Sequence, residues 1–491
     1  MLGNYITFPE LLLWIPLLTA LVAFFIRDAK KVKVWALFSS IITLTISIIS
    51  LCYTRNNSYN YVSYEWMPYL GCSFAVGLDG MGHMLTFLTA LSFPLILLGT
   101  YKNEYKNANA FYGLLLLSQF GLMGVFVATD ALLFYFFWEL ALIPVYFLCS
   151  RWGGEKRIPA TFKFFIYTFV GSLLMLVGII YVYLHSAPTL TSDHSFSIQA
   201  FYQTALLPRD QSWLFCLFFV AFAIKMPIFP FHTWQPDTYE QSPAPATMVL
   251  SGIMVKMGVF AVIRWVLPVL PEGTLKLQNL VIVLSVAGML YASCIAIVQD
   301  DLKRIVAYSS IAHIGLMSAA IFSLNTTGLQ GVMIQMLNHG INIIGLWIVI
   351  DLIEKQLGVR KLSQLGGIAQ KAPALAIFFV VMVLANMALP LTNAFIGEFA
   401  MFTGLYQHNP WYVVFASISV ILVAVYSLNM VQKVIYGETN AITQSVQDIS
   451  VKQKFTLAVI VLFIFILGVY PKPVFQLTEL TVSSIMTRFE K

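Results

Sequence analysis

Six ionisable side chains stand inside long apolar stretches. Glu139 lies in Ala131-Leu-Leu-Phe-Tyr-Phe-Phe-Trp-Glu-Leu-Ala-Leu-Ile-Pro144, Lys225 in Phe222-Ala-Ile-Lys-Met-Pro-Ile-Phe-Pro230 and Lys256 in Ser251-Gly-Ile-Met-Val-Lys-Met-Gly258. His313 lies in Ser309-Ser-Ile-Ala-His-Ile-Gly315, His339 in Leu337-Asn-His-Gly340 and Glu398 in Leu389-Pro-Leu-Thr-Asn-Ala-Phe-Ile-Gly-Glu-Phe399. A lysine or carboxylate isolated in low dielectric prefers its neutral form, and an opposite charge beside it restores the ion. Moving one partner away therefore drives a proton off the other. A water-joined series of acid, base, base, histidine, histidine and acid would make a proton relay.

Each residue has a plainer reading. Glu139 and Glu398 could only fix packing, Lys225 and Lys256 could snorkel to an interface, and a lone buried histidine is more often a satisfied core residue. The neighbouring prolines favour the relay. Pro227 and Pro230 cannot donate to the carbonyls of Ala223 and Met226, nor Pro390 to that of Asn386. Irregular backbone at membrane depth is tolerated only where protein or a water-filled cavity surrounds it. Arg264, eight residues beyond Lys256 and about 12 Å along a helix, reads as an interface anchor. His83, His185, His194, His232 and His408 fall near span ends or in loops.

Competing chemistries lack their signatures. No two histidines share metal-ligand spacing on one helix. The five cysteines (Cys52, Cys72, Cys149, Cys216 and Cys294) contain no C-x-x-C and suggest no disulfide framework. Gly77-Leu-Asp-Gly-Met-Gly82 does not fit the dinucleotide fingerprint, and there is no phosphate loop. A pump built this way would draw its energy from a partner or an ion gradient.

The elements that must position these residues are membrane spans. Of 491 residues, 59% are hydrophobic and 10% charged, with a mean hydropathy of +0.82. Soluble domains carry about 25% charged residues, so a soluble enzyme, a nucleic-acid binder and a disordered chain are excluded. Apolar runs of the roughly 20 residues needed to cross a bilayer recur about fourteen times. They lie near 8–26, 34–53, 79–100, 110–129, 131–150, 162–184, 212–231, 246–270, 278–299, 304–324, 330–353, 373–409, 411–436 and 455–471. The expected fold is an all-α polytopic membrane protein, one transmembrane domain over 1–491. Its repeat halves are expected near 110–270 and 278–436, with broken helices near 225–230 and 386–398.

Charge supports the count. Nineteen basic residues fall in alternate loops beginning with the first, against Arg55, Arg209 and Lys276 in the others. Basic loops face the cytoplasm, so both termini are expected outside. Glu10, with no basic residue before the first apolar run, argues against a cleaved signal peptide.

These residues carry a family resemblance across nearly the whole chain. Trp138-Glu-Leu-Ala-Leu-Ile-Pro144 resembles a W-E-x-x-x-x-P motif. Lys225-Met-Pro with His232-Thr-Trp-Gln-Pro-Asp237 and Pro243-Ala-Pro245 is similar to a broken seventh helix. Lys256 with Gly258 and Arg264, and Ala307-Tyr-Ser-Ser-Ile-Ala-His-Ile-Gly315, match two further motifs. The chain is identified as a member of the proton-translocating module shared by respiratory complex I and multisubunit cation/proton antiporters. In that family the broken twelfth helix carries lysine in the L and N chains of complex I and in antiporter subunits. Here it carries Glu398, which resembles the glutamate-bearing member of bacterial NADH:quinone oxidoreductase. Leu389-Pro-Leu-Thr-Asn-Ala-Phe395 departs from the common LPGTSGF, with Leu391 and Ala394 in place of glycines.

The resemblance implies roles. Glu139 pairs with Lys225 as the coupling switch, Lys256 is the central relay, His313 and His339 continue the path, and Glu398 is the outward gate. It implies no cofactor in this chain, with FMN, Fe–S clusters and quinone in partner subunits. It also implies the L and N chains and small membrane chains as partners, the bacterial inner membrane as location, and protons as cargo moved by quinone reduction elsewhere. Alternatives are the corresponding subunit of an antiporter or membrane hydrogenase, and a self-contained solute transporter.

Overall fold

A computed structural model describes residues 6–54, 57–188 and 192–489. Arg55 and Lys491, counted above among the charges, lie outside them. Among the described residues, twelve helices are long and apolar enough to cross a membrane. They are α1 (Phe8–Phe25), α2 (Ala29–Leu51), α3 (Gly80–Gly99), α4 (Ala108–Val127), α5 (Ala131–Trp152), α6 (Arg157–Leu184), α9 (Ala244–Val269), α10 (Pro271–Val298), α11 (Leu302–Ile321), α12 (Thr326–Leu357), α15 (Pro410–Val434) and α16 (Val451–Val469). Two further crossings are each built from two pieces. One joins α7 (Pro208–Lys225) to α8 (Trp234–Gln241), the other α13 (Pro373–Asn386) to α14 (Asn393–His408). Together they match the fourteen expected spans.

Charges at span ends act as caps. The carboxylates of Asp28, Asp79, Asp130 and Asp301 accept from the first free N–H groups of α2, α3, α5 and α11, and the Asn325 side chain does the same for α12. The loops that carry the basic residues share one end of the bundle, because ion pairs join them. Lys163 reaches Asp237 at 2.8 Å, Arg304 reaches Glu240 at 2.9 Å and Lys303 reaches Glu354 at 2.7 Å. Arg360 binds Glu240, Asp301 and Glu354 together.

Two elements on the other end escape an apolar-run reading. An antiparallel hairpin, β1 (Tyr61–Met67) and β2 (Cys72–Gly77), covers the loop before α3. An amphipathic helix, α17 (Lys472–Met486), crosses the same end. It seats so closely that a Cβ on Gly80 would lie 1.9 Å from the Leu477 carbonyl oxygen.

The core sits at α9 and α12, which are buried along their entire apolar windows, whereas α1, α2, α6, α15 and α16 bury only 33–39% of theirs. Glycines let the two central helices meet. A Cβ on Gly340 would lie 3.0 Å from the Gly252 carbonyl oxygen, and one on Gly252 would lie 2.8 Å from Ile344 Cδ1. Lys256 is one turn beyond Gly252 and His339 stands directly before Gly340, so backbone contact sets their meeting.

The second break spans 387–392. It was expected to reach Glu398, but regular helix resumes at Asn393, and Glu398 lies in the second turn of α14. Leu391 keeps φ at +75°, the left-handed conformation that suits glycine, and its side chain is 68% exposed. Ala394 sits inside the helix with ordinary geometry. Only the first replaced glycine therefore bears strain. A non-glycine residue in this region costs roughly 1–2 kcal/mol, and glycine's extra chain entropy costs about 0.5–1 kcal/mol. Leu391→Gly is expected to stabilise the protein by about 0.5–1 kcal/mol, read as a higher midpoint in thermal denaturation of the detergent-solubilised protein.

Candidate proton relay

The first break begins at Lys225, the last residue of α7. Chain reversal at Pro227 and Pro230 does not leave the Ala223 carbonyl free, as the prolines had suggested. It accepts from Ile228 N–H at 2.9 Å, and the Ile224 carbonyl accepts from the Trp234 indole at 2.9 Å. The Lys225 ammonium is buried and finds no hydrogen-bond acceptor among the described residues. It stands over the rings of Trp138 and Phe164, 5.6 and 5.7 Å from their centroids. Cation–π attraction of this kind holds a desolvated ammonium by about 2 kcal/mol.

Glu139 follows Trp138 on α5; its carboxylate interacts with the Ser172 side chain, while its Oε1 has no hydrogen-bond partner among the described residues. The two charges interact electrostatically, yet among the described residues no salt bridge joins them. The pairing implied by the resemblance is therefore not a direct contact in this structure. His232, placed by sequence near a span end, is buried inside the break, and its Nδ1 is also unpartnered.

On the other side of the break lies α9. A Cβ on Gly258 would sit 2.8 Å from both Met226 N and the Phe222 carbonyl oxygen, so α9 runs against the break itself. Its helix widens to π geometry over Leu250–Met254, a local form common at functional sites. There the Ser251 carbonyl accepts from Lys256 Nζ at 2.8 Å, five residues back along the chain.

From Lys256 onward the groups touch. Lys256 Nζ is 2.7 Å from His339 Nδ1. The His339 and His313 rings meet edge to face, 5.6 Å between centroids. His313 Nδ1 lies 2.9 Å from Glu398 Oε1. All four are buried. A cavity of about 20 Å³ borders His313 and Glu398, lined also by Met289, Met387, Phe402 and Ser419. That is room for about one water.

Arg264 is not an interface anchor. Its side chain is largely buried and pairs with Asp79 at 2.6 Å.

A polar belt around these groups went unnoticed in the sequence. Gln335, Asn338, His339 and Asn342 recur at i, i+3, i+4 and i+7, one face of α12. Asn338 donates to the Asn393 carbonyl at 2.7 Å, and Asn342 to Asn393 Oδ1 at 2.9 Å. Ser309 accepts from Asn386 and from Tyr426, each at 2.9 Å. Six buried atoms, His313 Nε2, His339 Nε2, Gln335 Oε1, Asn338 Oδ1, Asn342 Oδ1 and Asn393 Nδ2, find no partner among the described residues. Buried polar atoms are normally satisfied by protein or ordered water, so this face is polar enough to hold water. Polar amides at helical spacing in an apolar span were the signal that could have found it.

Broken helices around buried charges in an all-helical bundle define an ion-translocating membrane protein of the antiporter type. The chain belongs to the family described as NADH:quinone oxidoreductase/Mrp antiporter, transmembrane, which it matches over residues 128–423. NADH-quinone oxidoreductase subunit M of Rickettsia typhi is 34% identical over 493 residues, covering 97% of this chain and 98% of that protein. F(420)H(2) dehydrogenase subunit M of Methanosarcina mazei is 35% identical over 480 residues, covering 95% and 96%. Among solved structures, a chain of respiratory complex I from Thermus thermophilus with bound NADH superposes with a TM-score of 0.89 at 28% identity, covering 97% of this chain and 99% of that one.

Proposed function

We propose that the chain is a proton-translocating membrane subunit of an NADH:quinone oxidoreductase, without a redox centre of its own. The observation that carries this reading is the buried series Lys256–His339–His313–Glu398, in contact from group to group, beside a second buried acid and base, Glu139 and Lys225. Electron transfer through FMN, Fe–S clusters and quinone belongs to partner subunits, among them antiporter-like neighbours in the same membrane. With basic loops inside, both termini face outward in a bacterial inner membrane.

Proton uptake starts from the cytoplasm. A cavity of about 340 Å³ opens on the basic-loop end, lined by Ser242, Glu240, Asp351 and Lys303. The Thr247 and Ser251 hydroxyls continue along α9 from it toward Lys256. Protonation of Lys225 is then controlled by the distance to Glu139, and release passes through His313 to Glu398.

The F(420)H(2) dehydrogenase relative favours a second reading, the same pump driven by a different electron donor. NADH-binding and iron–sulfur chains in the purified assembly would support the first. Lys225→Ala and Glu398→Gln, assayed in membranes for NADH-driven proton transport, are each expected to reduce pumping severely with the complex assembled. Undiminished pumping in both would overturn the relay.

A further inference from the structure

The Asp79–Arg264 pair has a place in the fold that the relay does not use. It lies at the end of the bundle opposite the basic loops, eight residues from Lys256 on α9, about 12 Å along the helix. Arg264 falls within a second π segment, Val262–Val266. Lys256 therefore sits between two such widenings. A π turn carries one residue more than an α turn, so gaining or losing one rotates the helix by about 100°. The face that Lys256 presents to His339 thus depends on both segments being held.

Three remote parts of the chain hold the second. Arg264 Nη2 reaches Asp79 Oδ1 at 2.6 Å, and Asp79 also caps α3 through Gly82 N–H at 2.8 Å. The Thr481 hydroxyl of α17 donates to Asp79 Oδ2 at 3.1 Å. The Tyr202 hydroxyl donates to the Arg264 carbonyl at 2.8 Å, a group that a π turn places off the regular ladder. Arg488, just past α17, donates to the carbonyls of Tyr202 at 3.0 Å and Pro268 at 2.9 Å, the latter in the last turn of α9. Its guanidinium also lies 4.8 Å from the Tyr202 ring centroid. None of these side chains touches the relay.

We propose that Asp79, Arg264, Thr481 and Arg488 form a clamp that positions Lys256. By fixing the far end of α9 in its π register, the clamp keeps the ammonium aimed at His339 and makes α17 a working part of the pump. The proposal rests on Lys256 carrying protons. Arg264 and its partners are positioning residues, acting through α9.

The test uses the assembled complex in membrane vesicles. The paired variant Asp79→Asn with Arg264→Gln removes both charges at constant shape. It is expected to lower NADH-driven proton transport at least about tenfold, in keeping with the cost of a small misplacement remote from the chemistry. Thr481→Val with Arg488→Gln leaves the ion pair intact, should also pump poorly, and decides the matter if the first variant does not assemble. Thr481→Ser with Arg488→Lys preserves the donors and should restore transport, a rescue that loss of bulk alone would not produce. Full transport in the Val/Gln variant, or no rescue by the Ser/Lys variant, overturns the clamp. Lys256→Ala tests the underlying reading separately. If it pumps, the relay assignment fails; if it does not while the clamp variants pump fully, only the clamp fails.

Discussion

Lys256→Met is expected to lower NADH-driven proton transport by about a hundredfold or more, the usual scale for loss of a positioned proton donor or acceptor. The complex should still assemble. Methionine fills most of the volume of the lysine stem, and the lost contact with His339 Nδ1 (2.7 Å) leaves one buried nitrogen unpaired, at about 1–3 kcal/mol. Lys256→Arg sharpens the result. Arginine keeps the charge and can reach the Ser251 carbonyl, but it does not deprotonate in proteins. A relay predicts that it fails almost as badly as methionine. A residue needed only for its positive field would be rescued by arginine, and restored pumping in that variant would end the proton-carrier assignment.

The second large effect is on assembly. Gly404→Val is expected to destabilise the protein by about 3 kcal/mol or more, at the upper end for overpacking. A Cβ at Gly404 would lie 2.4 Å from Gly328 Cα and 2.6 Å from Gly328 N. Backbone stands on both sides, so no side chain can swing away. The same two helices close again at Gly331, where a Cβ would meet Met401 N at 2.8 Å and the Gly397 carbonyl at 3.0 Å. Small residues let transmembrane helices approach in this way, and here they bring Glu398 on α14 next to Gln335 on α12. A marked loss of assembled complex in membranes, with normal expression of the chain, is the measurement. Wild-type yield and thermal stability in Gly404→Val would refute the close packing.

The spans and both breaks were legible because hydropathy and proline act locally. So were the six candidate residues, since an ionisable group in an apolar run is conspicuous at any position. The contacts among them were not. Lys256 and His339 are 83 residues apart, and only the facing glycines at 252 and 340 bring them together. Arg264 illustrates the limit differently. Its distance from mid-span suggested an exposed anchor, while its partner Asp79 lies 185 residues earlier. The hairpin and α17 escaped notice because neither forms a long apolar run. The second π segment leaves no mark in composition, since it is held by side chains from elsewhere in the fold.

Arg360 binds Glu240 at the tip of α8, Asp301 at the start of α11 and Glu354 near the end of α12. Mechanically, it is a shared fastener. The short arm below the first break and the long helix that carries His339 cannot slide independently without breaking one of its bonds. A displacement of α8 relative to α12 would have to strain or break these bonds. These pairs are partly exposed, so salt should soften the linkage. Ionic strength would then act on the two halves as slack acts in a coupling rod.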